Sequence, residues 1–403
     1  QGRPGPVVLA LPEDMLQSRV AVPDAPPYTR VMPHPGNADM QRLHTLLAAA
    51  ERPLAILGGG DWDAAACADI RAFIEANGLP AACGFRRQDL LDNRHPNYCG
   101  DVGIGIAPAL AGRIRDADLV LAIGPRLGEA TSSGYTLFDI PAPRQRLVHV
   151  HPWAEELGRV YSAELMIVSG MREFAPRAAA LPPVDATRWR TWTADARADY
   201  LENLRHSPGG GSVDLGEVMA FLRTALPADA IVTNGAGNYA GWVHRYYQYT
   251  GFRTQLAPTS GAMGYGVPAA IAAKAVYPER TVVSVSRDGC FLMNGPELAT
   301  AAQYGLAVLF IVVNNGMYGT IRMHQEREYP GRVHGTTLQN PDFAALARAH
   351  GLHGEVVYRT PDFEAAFHRA RSSGKAALLE LRTDPDVITT RTTLSAIRQR
   401  ARP

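Results

Sequence analysis

The sequence has almost no charge of one sign to spare. Its 40 Lys and Arg stand against 39 Asp and Glu, a formal charge of +1 over 403 residues, and no dense basic stripe interrupts the mixture. That balance argues against nucleic acid or a charged membrane surface as a partner. No apolar stretch approaches the roughly 20 residues of a membrane span, and no basic-then-apolar segment opens the chain as a secretory signal would. A cytoplasmic location is therefore expected. Cysteine is scarce: Cys67, Cys83, Cys99 and Cys290 show no paired metal-site spacing, and we read them as reduced, mostly buried thiols rather than disulfides. Internal repeats and low-complexity tracts are also lacking. The partners left are small molecules and further copies of the chain, whose length suffices for two or three domains with their own cores.

What is present is an alternation of short apolar runs with helical patterns. The start, Gly2-Arg3-Pro4-Gly5-Pro6 leading into Val7-Val8-Leu9-Ala10-Leu11, reads as a single strand and as the end of a domain whose body is absent. Pro23, Pro26, Pro27, Pro33 and Pro35 then make an extended linker, so that 1–36 is a domain end plus linker. A helix is expected over 39–50, a strand at Pro53-Leu54-Ala55-Ile56-Leu57, a helix over 63–77 and another apolar run over 79–83. Further strands are expected at 118–124, 146–150 and 165–168, which makes 37–180 one doubly wound domain with a parallel sheet covered on both faces. The Trp- and Arg-rich helix over 186–206 and the Pro208-Gly209-Gly210-Gly211 break suggest a connector over 181–210. A second α/β domain, 211–403, is expected to have strands at 230–233, 281–285, 308–313 and 377–381. The fold class is thus α/β, two doubly wound domains with parallel sheets flanked by helices, and ligands should sit outside the carboxyl ends of the strands.

At those ends stand Asp288, closing one run, and Asn314-Asn315, closing the next. Between them a helix is expected over 295–304, with Asn294 as N-cap, Pro296 in the first turn, Glu297 completing a capping box and Gly305 as the residue that ends it. A carboxylate and an amide oxygen, with backbone carbonyls and ligand phosphates, are the hard donors Mg²⁺ selects. The plainer reading is two turn formers at strand ends.

The stretch from Asp288 to Asn315, in which the second asparagine comes 27 positions after the aspartate, resembles the thiamine-diphosphate (ThDP) motif G-D-G…N-N. Three further stretches resemble the acetolactate-synthase-like branch of that family. These are 234–242, similar to the loop over the diphosphate; 260–270, similar to the segment cradling the middle of the cofactor; and 2–8, similar to the last strand of the family's first domain. The resemblance implies ThDP and Mg²⁺ as cofactors, with Asp288 and Asn315 ligating the metal by side chain and Met317 by its carbonyl. It implies N–H groups of Gly289 and Cys290 on phosphate, a Gly261 carbonyl on the aminopyrimidine, and Met263 as the wedge that bends the cofactor. Gly237, Asn238, Tyr239, Ala262, Tyr318 and Gly319 complete the implied cofactor contacts. Tyr239 could instead cover a loop, and Met263 could fill a core. The catalytic glutamate of the family belongs to its pyrimidine-binding domain, and no residue here is nominated for it; a homodimer or homotetramer is implied, the glutamate acting across a subunit interface.

The activity implied is decarboxylation of a 2-oxo acid with transfer of the acyl carbanion. The alternatives are a decarboxylase that passes a proton to the same carbanion, or a non-catalytic ThDP-fold module or fragment. Gly58-Gly59-Gly60-Asp61 could hold a nucleotide phosphate of FAD, which acetolactate synthases bind in this domain, or be a simple turn. The family's Arg-Phe-Asp-Asp stretch is here Arg126-Leu127-Gly128-Glu129, matching only at Arg126. His149 and His151 could face a ligand or be satisfied; His324 and Gln325 could face substrate, with Arg322, Arg327 and Glu328 on a polar helix face. Where the family has glycine this chain has Arg287. By strand alternation it should point away from Asp288, or else curl toward the diphosphate as an added cation; weakened binding is expected.

Overall fold

Runs such as Leu119-Val120-Leu121-Ala122-Ile123 and Val308 to Val313 are apolar at every position, which suits strands buried on both faces. The computed structural model, which describes residues 5–206 and 209–401, builds two six-stranded sheets from them, and every pairing is parallel. The first contains β1 (Pro53–Leu57), β2 (Ala81–Gly84), β3 (Tyr98–Val102), β4 (Leu119–Ile123), β5 (Arg146–His151) and β6 (Leu165–Val168) in the order β3-β2-β1-β4-β5-β6. The second contains β7 (Ile231–Asn234), β8 (Gln255–Leu256), β9 (Val282–Arg287), β10 (Val308–Asn314), β11 (His353–Val357) and β12 (Ala377–Arg382), ordered β11-β12-β10-β9-β7-β8. Helices cover both faces of each sheet, giving four core clusters, two per sheet. The chain is thus α/β, with two doubly wound parallel sheets.

The helix Arg190–Leu204 packs on the first sheet: Ala196 lies in that sheet's core and Tyr200 meets Tyr98 edge-on with ring centroids 5.0 Å apart. A polar seam joins the two sheets. Gln88 N donates to Gln255 Oε1 at 2.7 Å, Tyr249 N to Asn93 Oδ1 at 3.0 Å and Arg253 N to Asp89 Oδ2 at 2.9 Å.

Two expectations are corrected. Val7-Val8-Leu9-Ala10-Leu11 forms no strand; Val7 and Val8 are 91% and 93% exposed, because a strand needs a neighbour for its N–H and C=O groups and none pairs with it. Gly2, Arg3, Pro4 and Pro208 lie outside the described residues. The helix after Asp288 begins as a 3₁₀ turn, Gly295–Glu297, and Asn294 caps nothing: its Nδ2 donates to Gly264 O at 2.8 Å, while Glu297 accepts from Thr300 at 2.7 Å. Its end is as expected, with Gly305 at φ +62° and Leu306 N bonded back to Ala301 O.

Candidate functional site

In the second sheet the strand order reverses between β7 and β9, since the chain runs outward from β7 to β8 and then returns to β9. A crevice must open there, where the loops after the two strands part. Those loops start at Asn234 and at Arg287, and a cavity of about 1260 Å³ opens over them, walled on the other side by the loop after β2 and by 99–107, which is β3 and the loop after it. The same cavity is lined by Gly237, Asn238, Gly261, Met263, Asp288, Gly289, Cys290, Met317, Tyr318 and Gly319. Four separate stretches of sequence are thus brought to one place. Tyr239, Ala262 and Asn315 do not line it.

Asp288 is fully buried. Its Oδ2 accepts from Gly316 N at 2.8 Å, Asn340 Nδ2 at 2.9 Å and Asn315 N at 3.2 Å, while Oδ1 accepts only from Gly289 N, at 2.8 Å. A carboxylate oxygen has two lone pairs, so Oδ1 keeps one for a further partner. The two asparagines at the end of β10 divide their work. Asn314 turns inward, donating to Glu380 Oε1 at 2.6 Å and accepting from Gly316 N and Asn340 Nδ2. Asn315 is buried with both atoms of its amide unpartnered. A buried amide left unmet costs about 1–3 kcal/mol, which a ligand can recover. Met317 forms an isolated antiparallel bridge with Thr337 whose two bonds, Tyr318 N to Thr336 O and Leu338 N to Gly316 O, leave the Met317 carbonyl out. A carboxylate lone pair, an orphaned amide oxygen and an unused carbonyl form an all-oxygen donor set that fits Mg²⁺.

Glycines here make room. A Cβ on Gly289 would stand 2.6 Å from the Tyr318 ring, so Tyr318 packs directly on the turn after β9. Met263 is 36% exposed in a loop between Gly261 (φ +74°) and Gly264 (φ +84°), so it does not fill a core. Tyr239 holds the loop from beneath: its hydroxyl accepts from Gly235 N at 2.9 Å and donates to Cys290 Sγ at 3.6 Å, and burial pushes its pKa well up. Cys290 Sγ also accepts from Gly264 N at 3.1 Å, so its side chain ties two loops.

Arg287 keeps its strand register. Val283 and Val285 pack in one core cluster and Val282 in the other, so Arg287 belongs to the face opposite Asp288. The guanidinium nonetheless turns to the cavity, which it lines, and lies against Gly319, where a Cβ would be 2.1 Å from Nη1. The residue is 6% exposed, Nε and Nη1 have no partner, and among the described residues it forms no ion pair.

The weaker signals other than His324 resolve as packing. Gly59, at φ +69°, presses on β4's end so closely that a Cβ would sit 1.9 Å from Gly124 O, and neither 58–61 nor Arg126 lines the cavity; Arg126 pairs with Glu156 at 3.1 Å. His149 is buried against Pro125 O at 3.0 Å, with its pKa lowered by burial to about 4, and His151 is buried beside Trp153, so both are interior rather than surface histidines. His324 lines the cavity, whereas Gln325 is spent on His334 O and Thr336. Arg322 is not on a solvated face, since with Arg398 it clamps buried Glu326, whose pKa falls to about 2 chiefly through the Arg398 hydrogen bond.

Three cavity residues gave no signal in the sequence: Arg86, Asp101 and His244. Asp101 is half-buried with its Oδ1 buried and unpartnered, and desolvation lifts its pKa to about 7 against the opposing pull of Arg86. Burial lowers His244 to about 3. Arg86 bonds Pro258 O and, at 3.4 Å, Gly235 O, tying the first sheet to the β7 loop. Only assembly of the two sheets brings these groups together.

The thiamine pyrophosphate enzyme central-domain model matches residues 40–177, and the model of the C-terminal TPP binding domain matches 235–381, which holds most of the cavity's second wall. The chain belongs to the thiamine pyrophosphate enzymes. It is 28% identical over 391 residues to the acetolactate synthase isozyme 2 large subunit of Escherichia coli (95% of this chain, 69% of that protein). It is 30% identical over 388 residues to the acetolactate synthase large subunit of Corynebacterium glutamicum (92% and 61%) and 30% over 368 to that of Parasynechococcus marenigrum (88% and 59%). This places it in the acetolactate-synthase-like branch; the chain spans 59% to 69% of the length of these relatives. Among the described residues no helix is long and apolar enough to cross a membrane.

Proposed function

We propose that the chain binds ThDP through Mg²⁺ at the β7–β9 crevice and serves an enzyme that decarboxylates a 2-oxo acid and transfers the resulting acyl unit. The observation that carries this reading is the orphaned, buried Asn315 amide beside an Asp288 carboxylate that four N–H donors hold in place. Asp288, Asn315 and the Met317 carbonyl would hold the metal, with Gly289 and Cys290 N–H groups toward phosphate. Gly237, Asn238, Gly261, Tyr318 and Gly319 would shape the cradle. Tyr239 would act beneath it and Ala262 within the loop that presents Met263. Bound ThDP supplies the electron sink for decarboxylation. The chain's part is to orient the group and keep water out, for which Phe85, Ile104, Leu110 and Met263 line the cavity. No support for FAD comes from 58–61, whose backbone is used in packing. The four cysteines are free, as suits a cytoplasmic location. The large subunits among the relatives support an assembled enzyme, and a homodimer or homotetramer is the assembly we propose.

Titration of ThDP into the chain with Mg²⁺ present should give saturable binding that Asp288→Ala abolishes; no binding by the unmodified chain would overturn the reading. A second reading, a module that binds ThDP without turnover, is favoured by the unpaired Arg287 beside the metal ligand. Pyruvate consumption with ThDP and Mg²⁺ separates the two, and a panel of 2-oxo acids then assigns substrate and acceptor.

A further inference from the structure

Arg287 stands where a cation alone is unfavourable. The ten-residue helix Gly319–Glu328 begins against its guanidinium, and the first N–H groups of a helix carry partial positive charge and lack intrahelical partners. Two positive groups therefore face one another, with Arg287 only 6% exposed. The adjacent Asp288 carboxylate attracts the guanidinium without bonding it: its hydrogen bonds come from Gly289, Asn315, Gly316 and Asn340, and among the described residues Arg287 Nε and Nη1 have no partner. A buried cation left without a partner is strongly disfavoured, and a planar guanidinium matches phosphate oxygens in a two-pronged fashion.

We propose that Arg287 and the N-terminus of helix Gly319–Glu328 form a phosphate clamp at this site, which lets a diphosphate bind with much of its affinity retained when divalent metal is removed. The clamp rests on the ThDP reading for the identity of its ligand, but its chemistry asks only for a diphosphate. It also reverses the expectation that the arginine weakens binding. Gly319 is part of the device, because any side chain there would push the guanidinium out of the contact.

Calorimetry on the full chain tests this with two probes, inorganic pyrophosphate and ThDP, each titrated in Mg²⁺ and in excess EDTA, against Arg287→Gln and Arg287→Lys. Far-ultraviolet dichroism and melting confirm that the variants are folded, and Arg287→Lys keeps the charge should the glutamine variant not fold. In EDTA, pyrophosphate should bind the unmodified chain, and Arg287→Gln should lose about tenfold or more, the size of one charge-assisted hydrogen bond. Arg287→Lys should recover part of that loss. Equal affinity in Arg287→Gln, tighter binding in it, or no pyrophosphate binding to the unmodified chain in EDTA would each overturn the clamp. Arg287-dependent pyrophosphate binding with no ThDP binding would keep the clamp and remove the ThDP reading. Mg²⁺-dependent ThDP binding indifferent to Arg287 would do the reverse.

Discussion

The two sheets have the same strand number, the same all-parallel pairing and a glycine-rich turn after their first strand, yet they treat the crevice at their carboxyl edge in opposite ways. At the first sheet, Gly59 presses against Gly124 O, Trp62 donates to Gly58 O at 2.8 Å, and His149 and His151 are buried against backbone oxygens. At the second, Gly237 and Asn238 line open space, and Asn234 Oδ1, the Asn315 amide and Arg287 Nε and Nη1 are buried without partners among the described residues. Buried unpartnered atoms occur at the first edge too, at Asp61 Oδ2, Glu156 Oε2 and Glu173 Oε2, so what marks the second as used is that its unmet groups stand beside an open cavity.

Substitutions can break or sharpen that contrast. The largest effect is expected from Asp288→Ala, which should cost at least the roughly 100-fold in Mg²⁺-dependent ThDP affinity that disturbing a metal site can cost. Next is Gly59→Val. The left-handed φ alone should cost on the order of 1–3 kcal/mol, and the clash with Gly124 O adds to it; the denaturant midpoint should fall while ThDP affinity, where the fold persists, is retained. Asp101→Asn sharpens the contrast within the cavity wall. The Asp101 pKa is raised from 3.8 to about 7, so ionising it disfavours the folded state increasingly as pH rises through that window. Melting temperatures should show the asparagine variant gaining on the parent from pH 4 to pH 7 and holding the gain above, with no gain at low pH. The smallest change in stability is expected from Met263→Ala, below about 1 kcal/mol for a loop side chain outside the core, while ThDP affinity drops.

Much of this was legible in the sequence. The interior strands β1, β4 and β10 are nearly unbroken apolar runs that suit a sheet buried on both faces, β9 and β12 are apolar apart from Ser284, Ser286, Arg287, Glu380 and Arg382, and the Asp288–Asn315 spacing puts two oxygen donors at one edge. The strands that escaped, β3, β8 and β11, all lie at or beside sheet margins where apolar continuity is not required: Tyr98-Cys99-Gly100-Asp101-Val102 is interrupted by Gly and Asp, and His353-Gly354-Glu355 by a charge. Asn294 misled because its capping pattern is local, whereas its amide is claimed by Gly264 from another loop. Arg86, Asp101 and His244 were invisible for a similar reason, since they acquire meaning only when the first sheet meets the loop after β7. Arg287 was visible as a departure, but alternation along a strand fixes where a side chain starts and not where a long one ends.

The most direct test of the contrast is hydrogen–deuterium exchange of the full chain with and without ThDP and Mg²⁺. Slowed exchange over 235–239, 259–264, 287–291 and 315–320, with 58–61 and 124–128 unchanged, is the predicted result. Protection over 58–61 and 124–128 instead, or no change anywhere at saturating ThDP, would contradict it.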